Sequence, residues 1–136
     1  MAGPEGVVLD TDVASRSLRD QLAGPLAARI AGRVWLVTFV TVGELWQWAE
    51  LRSWGPARRG DLEAWLAGVV TLPATDTVAG TWGRISAAAT RRGRPRPVND
   101  TWIAATCLAN GVQLATFNVK DYEDFADHEG LVLVRR

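Results

Sequence analysis

Short apolar runs alternating with stretches of helical period constrain this chain more than any other feature. Residues 7–9, 34–39 and 112–116 are short, largely apolar runs and read as buried strands. A three-residue run at 70–72, stopped by Pro73, reads as a further short strand, and 131–134 as the last. Helical patterns lie between them. In 41–54, Val42, Leu45, Trp46 and Ala49 recur at i, i+3, i+4 and i+7, one apolar stripe. Leu62, Trp65, Leu66 and Val69 repeat that spacing in 57–69, and Val78, Trp82, Ile85 and Ala89 run through 76–92. Residues 13–31 read as one or two short helices broken near Gly24-Pro25. Residues 99–110 read as a helix ended by Gly111, and 120–125 as one or two helical turns. Strands apolar on both faces need cover on both faces. The expectation is an α/β fold of three layers, with helices on either side of a short, mostly parallel sheet.

The length suits one domain, residues 1–136, with no repeat, low-complexity tract or interdomain linker. A formal net charge of zero gives no global attraction to nucleic acid or membrane, so any polyanion site must be a local patch. The single Cys107 excludes an internal disulfide and a cysteine-cluster zinc site, and is expected in the core. Neither a signal-peptide pattern nor an apolar run of membrane-spanning length is present, so the default compartment is the cytoplasm. Of the 15 Lys and Arg, only Lys120 is lysine. That bias fits forked phosphate contacts, but genome base composition explains most of it.

Placing the acids on this topology is the informative step. In an open α/β sheet, ligands bind at the carboxyl ends of the strands. Asp10 ends the first strand, Glu44 lies just past the second, and Asn118 and Asp121 follow 112–116. Asp100 opens the helix that feeds 112–116, and so starts at the same rim. Each acid also has a plainer role open to it. Asp10 or Asp12 is placed to cap a helix. Thr41 and Glu44 have the spacing of a capping box. Asn99 with Asp100 looks like a cap followed by an acid favoured by the helix dipole. Caps, however, do not require four segments to converge. Carboxylates about 4 Å apart repel by about 4 kcal/mol per pair at an effective dielectric near 20. A hard divalent cation such as Mg2+ or Mn2+ removes that cost, so the cluster predicts a metal site.

Four blocks carry a resemblance: "VVLDTDV" (7–13), "VTFVTVGEL" (37–45), "RPVNDTWIAA" (96–105) and "LATFNVKDYEDF" (114–125). In this order they resemble the PIN-domain proteins, specifically the VapC-like toxin ribonucleases of type II toxin–antitoxin pairs. The resemblance implies a metal-dependent endoribonuclease that leaves 3′-OH and 5′-phosphate ends. It implies catalytic acids at Asp10, Glu44, Asp100 and Asp121, and Mg2+ or Mn2+ held by Asp10, Asp100, Glu44, Asn118 and Asp121. The family's classical fourth acid falls on Asn118, and the relatives with an acid three residues later match Asp121. Asp12 stands where the family more often has Asn, with a helix cap or a hydrogen bond beside Asp10 as its expected job. Thr116 sits where a small hydroxyl residue is common. The resemblance also implies an RNA substrate, a VapB-like antitoxin lying over the helices and the acidic pocket, and a homodimer.

Further features bear on substrate and partner. Arg91, Arg92, Arg94 and Arg96 form the one basic run and lead to Asp100. They either grip phosphates or suit a helix C-terminus. Arg96 and Arg94, with Thr116 and Asn99, are the expected substrate contacts. Trp46, Trp48, Trp54 and Trp65 exceed what one helix pair needs for its core, which leaves some for a partner. The acids at 121–129 are expected to be a solvated surface, and His128 a surface residue. Two rival readings remain at this point. "VVLDTDV" also fits the start of a HAD-like phosphohydrolase, with Asp10 as nucleophile, Asp12 as acid/base and Lys120 in support. Alternatively, the acids are caps in a catalytically inactive binding module.

Overall fold

The first apolar run forms β1 (Gly6–Leu9), which pairs in parallel with β2 (Val34–Thr38) and with β4 (Gln113–Ala115). β3 (Val70–Leu72) pairs in parallel with β2, giving the order β3-β2-β1-β4. The computed structural model describes residues 5–134. Among them, seven helices accompany the four strands: α1 (Thr11–Leu18), α2 (Gly24–Ile30), α3 (Phe39–Leu51), α4 (Pro56–Ala67), α5 (Asp76–Arg91), α6 (Val98–Asn110) and α7 (Val119–Glu129).

Period-two alternation splits the strand side chains between two cores. Val7 and Leu9 of β1, Val37 of β2 and Ala115 of β4 pack with residues from α1 to α4. Val8, Leu36 and Leu114 point the other way, against α5, α6 and α7. The three-layer α/β/α architecture expected from the sequence is present. Cys107 is fully buried in the second core, and burial pushes its thiol pKa up, as suits a packing residue.

Several boundaries differ from the expectation, for local reasons. The break expected near Gly24-Pro25 is present and separates α1 from α2. Pro25 opens α2, where its missing N–H costs nothing, and the break lies upstream, where Asp20 takes a positive φ of 56°. Gly55-Pro56 likewise opens α4, after Ser53 has turned the chain at φ 52°. α7 runs through Glu129, longer than the 120–125 expected. The last strand shrinks to one parallel bridge between Leu133 and Leu114. The backbone N–H groups of Leu114 and Val134 donate to Val132 and Leu114 there, each at 2.9 Å.

Parallel strands end at one rim, and the helices that follow them begin there. α1 starts one residue beyond β1, and α3 follows β2 without a gap. α6 runs into β4 through Gly111, whose φ of 63° is the left-handed geometry that ends helices. The start of α6 is thereby returned to the same rim.

Candidate active site

Asp10 follows β1 directly and caps α1. Its Oδ1 accepts the Val13 backbone N–H at 2.9 Å, and its Oδ2 accepts the Thr116 hydroxyl, just past β4. The plain and the functional roles of Asp10 therefore do not compete, since one carboxylate fills both positions. Asp12 is not the cap. It lies in the first turn of α1, with Arg16 at 3.4 Å. Asp10 is only 4% exposed. Burial raises its pKa to about 6. The two hydrogen bonds oppose that rise, and the charges of Asp12 and Asp100 add to it.

Glu44 is placed by an earlier start to α3 than the sequence pattern gave. Thr38, not Thr41, is the cap, and its hydroxyl accepts the Thr41 N–H at 3.3 Å. Glu44 does not close a capping box. Its Oε1 accepts the Thr11 hydroxyl at 2.7 Å. Thr11 Oγ1 also lies 2.9 Å from Thr41 Oγ1. Because the single Thr11 proton goes to the carboxylate, Thr41 must donate to Thr11. A directed chain, Thr41 to Thr11 to Glu44, fixes the acid.

Asp100 stands in the first turn of α6, whose cap is Pro97 rather than Asn99. Burial and then the nearby charge of Asp121 raise its pKa, and Glu44 adds to the rise. The Tyr122 hydroxyl, 3.4 Å from Asp100 Oδ1, and the charge of Arg96 act against it. Asn118 caps α7 without a side-chain hydrogen bond of its own, and its backbone N–H donates to Thr116 Oγ1 at 2.9 Å. Asp121 is exposed in the first turn of α7.

Asp10, Glu44, Asp100, Asn118 and Asp121 all line one open cavity of about 400 Å³. It is not the largest hollow. One of about 810 Å³, bordered by Arg29, Arg33 and Asp127, lies elsewhere without that concentration of acids. Chemistry, not size, singles out the smaller one. The acids ring the cavity without closing on a point. Among the described residues, no three His, Cys, Asp or Glu form a ready metal-holding group. The donor set is nevertheless all oxygen, and among the described residues the most buried of these carboxylates has no cation beside it. Those features suit a hard divalent ion.

The expected substrate contacts scatter. Thr116 is committed to Asp10. Arg96 is half-buried near Asp100, and its Nε has no hydrogen-bond partner among the described residues. Asn99 and Arg94 are exposed and do not border the cavity, and the charge of Arg94 acts on Asp124 instead. Arg92 is structural, with Nη2 2.6 Å from Asp124 Oδ2 and Nη1 3.5 Å from Glu129 Oε2. Asp124 and Glu129 are thus not the solvated surface acids expected, whereas His128 is exposed as expected. Of the four tryptophans, Trp54 is buried while Trp46, Trp48 and Trp65 are half-exposed.

Three residues at the site were not among the expected site residues. Thr11, Trp48 and Tyr122 all border the cavity. Thr11 reads as filler inside "DTD" because its partner is 33 residues away. Tyr122 had one weak hint, its place directly after Asp121.

The sequence matches the profile of the PIN domain over residues 7–127. The chain belongs to the PIN-domain family. Ribonuclease VapC4 of Mycobacterium tuberculosis (strain ATCC 25618 / H37Rv) is 32% identical over 108 residues, 77% of this chain and 82% of that protein. Among solved structures, VapBC-5 of the same species contains a chain 28% identical to this PIN domain, with a TM-score of 0.73. The match covers 98% of this chain and 100% of that one. VapBC-1 of nontypeable Haemophilus influenzae gives 0.79 at 24% identity, covering 94% and 96%, a likeness of fold. The phosphohydrolase reading has no support at this PIN site. Arg16 occupies Asp12, and Lys120 is exposed and does not border the cavity.

Proposed function

We propose that this chain is a divalent-metal-dependent endoribonuclease acting as the toxin of a type II toxin–antitoxin pair. One observation carries the metal: Asp10, buried to 4% exposure, has no cation beside it among the described residues and heads a cavity ringed by Glu44, Asp100, Asn118 and Asp121. The likeness to a protein named a ribonuclease, and to chains of VapBC toxin–antitoxin structures, supports RNA as substrate and a VapB-like antitoxin as partner. A homodimer fits the same likeness, and an RNA substrate with an antitoxin partner implies the cytoplasm. Among the described residues, no helix is long and apolar enough to cross a membrane.

Asp10, Asp100 and Glu44 would hold Mg2+ or Mn2+, with Asn118 and Asp121 at the outer edge. When bound there, the ion polarises a phosphate and lowers the pKa of a water, the chemistry that phosphodiester hydrolysis needs. Val13 and Thr116 pin both oxygens of Asp10 and leave a lone pair on each. Thr11 ties one oxygen of Glu44 and leaves the other to ligate or to orient a water. Asn118 brings an oxygen but no charge, so the site is one charge less acidic than a full set of carboxylates.

The test is cleavage of RNA by the purified chain. Cleavage is expected with Mg2+ or Mn2+, lost with EDTA and lost in Asp100→Asn. Undiminished cleavage by an Asp10→Ala, Glu44→Ala double variant would sink any mechanism based on these acids.

A further inference from the structure

Trp48 stands one helical turn beyond Glu44 on α3 and borders the cavity the acids line. α3 already fills its share of the core with Leu45 and Ala49, both fully buried. Trp48 only partly joins that core, and the rest of the indole is left at the cavity wall. One turn further on, the exposed Arg52 holds its guanidinium 5.0 Å from the centre of the Trp48 ring. The cavity shares Asn118 and Asp121 with a second concavity of about 560 Å³, which Phe117 and Lys120 border. The acids account for a metal and a phosphate. They do not account for an indole there.

We propose that Trp48, backed by Arg52, is a nucleobase subsite that stacks an unpaired base next to the phosphate being cut. This rests on the endoribonuclease reading above and specifies its substrate as single-stranded RNA. An acidic cavity repels the phosphate backbone everywhere except at its metal, so the strand needs an uncharged hold beside it. A base offers that hold, because stacking on an aromatic ring is independent of charge and tolerant of sequence. The guanidinium supports it from the ring's other neighbour, both as a cation over the indole and as a partner for the adjoining phosphate. In a duplex, the base faces are already stacked on their neighbours, so only loops and unpaired segments can use the subsite.

The test walks a single abasic residue through the positions flanking the cut in a short oligoribonucleotide, with Mg2+ present. Wild type, Trp48→Phe and Trp48→Leu are compared. At one position, loss of the base should raise KM by about 5- to 160-fold in wild type and Trp48→Phe, the range one stacked base accounts for. In Trp48→Leu, the intact RNA should already show that higher KM with kcat little changed, and the abasic residue should add about twofold or less. Equal abasic profiles in wild type and Trp48→Leu overturn the subsite, and so does a wild type with no sensitive position. Should Trp48→Leu not fold, Arg52→Gln decides, since it must weaken the response at the same position and no other. A wild type that cuts no RNA with Mg2+ or Mn2+ defeats the endoribonuclease reading itself. A wild type that cuts but ignores the abasic residue defeats only the subsite.

Discussion

Asp10 and Asp124 are both buried aspartates, 4% and 7% exposed, yet their proton affinities move in opposite directions. Burial alone pushes both upward. For Asp124 the Arg92 guanidinium outweighs it, through a 2.6 Å hydrogen bond and its charge, with His128 and Arg94 adding to the effect. Its pKa falls below the usual range. For Asp10 nothing outweighs burial. Its partners are a neutral hydroxyl and a backbone N–H, the nearby charges are acidic, and its pKa rises to about 6. Among the described residues, the fold supplies a cation for one buried carboxylate and none for the other. A carboxylate completed from within is a structural clamp, here joining α5 to α7. A carboxylate left incomplete is poised for a cation from outside.

The sharpest way to break this contrast is to neutralise each acid and follow RNA cleavage. Asp10→Asn should lower the rate at saturating Mg2+ by about 10²- to 10³-fold, the usual cost of losing one preorganised electrostatic group at a reacting centre. Asp124→Asn, measured on the folded fraction, should stay within about twofold of wild type. It should also lower the Tm by several degrees, because Arg92 is left without its main partner. Equal losses of rate in the two variants would show that Asp10, too, is only a structural residue.

The next effect is on stability without metal. Below pH 3.8, Asp10 is protonated in both folded and unfolded chains and contributes nothing. Between 3.8 and about 6, the unfolded chain gives up its proton while the folded one keeps it, so stability falls as pH rises. Above about 6 the penalty is complete, at most about 3 kcal/mol. Urea melts in EDTA should find Asp10→Asn more stable than wild type at pH 7, with the gap closing below about pH 4. Asp124 has the opposite sign. Its contribution is present at neutral pH and lost as pH falls through its depressed native pKa. An Asp10→Asn variant less stable than wild type at pH 7 would overturn the electrostatic reading of the site.

What separates the two aspartates is the part of the molecule that the sequence hides. The sheet was legible because short apolar runs and helices of period 3.6 leave their mark on neighbouring residues. The rim was legible for the same reason, since a parallel sheet obliges Asp10, Glu44 and Asp100 to share one edge. Pairings across the chain leave no such mark. Arg92 meets Asp124 across 32 residues. The basic run therefore read as a phosphate grip, and the acids of α7 as solvated surface. Thr41 with Glu44 matched a capping box because the pattern is local, but the cap is three residues earlier and the carboxylate is held from another helix. Gly55-Pro56 read as the end of α3 when it opens α4. The dipeptide marks a boundary without saying on which side of it the helix lies.

The smallest effect sharpens the contrast most, because it touches neither a ligand nor a charge. Thr11→Val keeps the size and branching of the side chain and removes the hydroxyl that holds Glu44 Oε1 at 2.7 Å. A hydrogen bond to a charged group contributes about 1.5–3 kcal/mol, or about 13- to 160-fold in a rate if it acts fully in the transition state. Thr11→Val should lower kcat within that range, and Thr11→Ser, which keeps the hydroxyl, should restore most of it. The Thr41 hydroxyl, left without its acceptor in the valine variant, makes some loss of stability certain. A fall in Tm with an unchanged kcat would therefore mean that Thr11 serves the packing of α1 against α3 and does not aim Glu44.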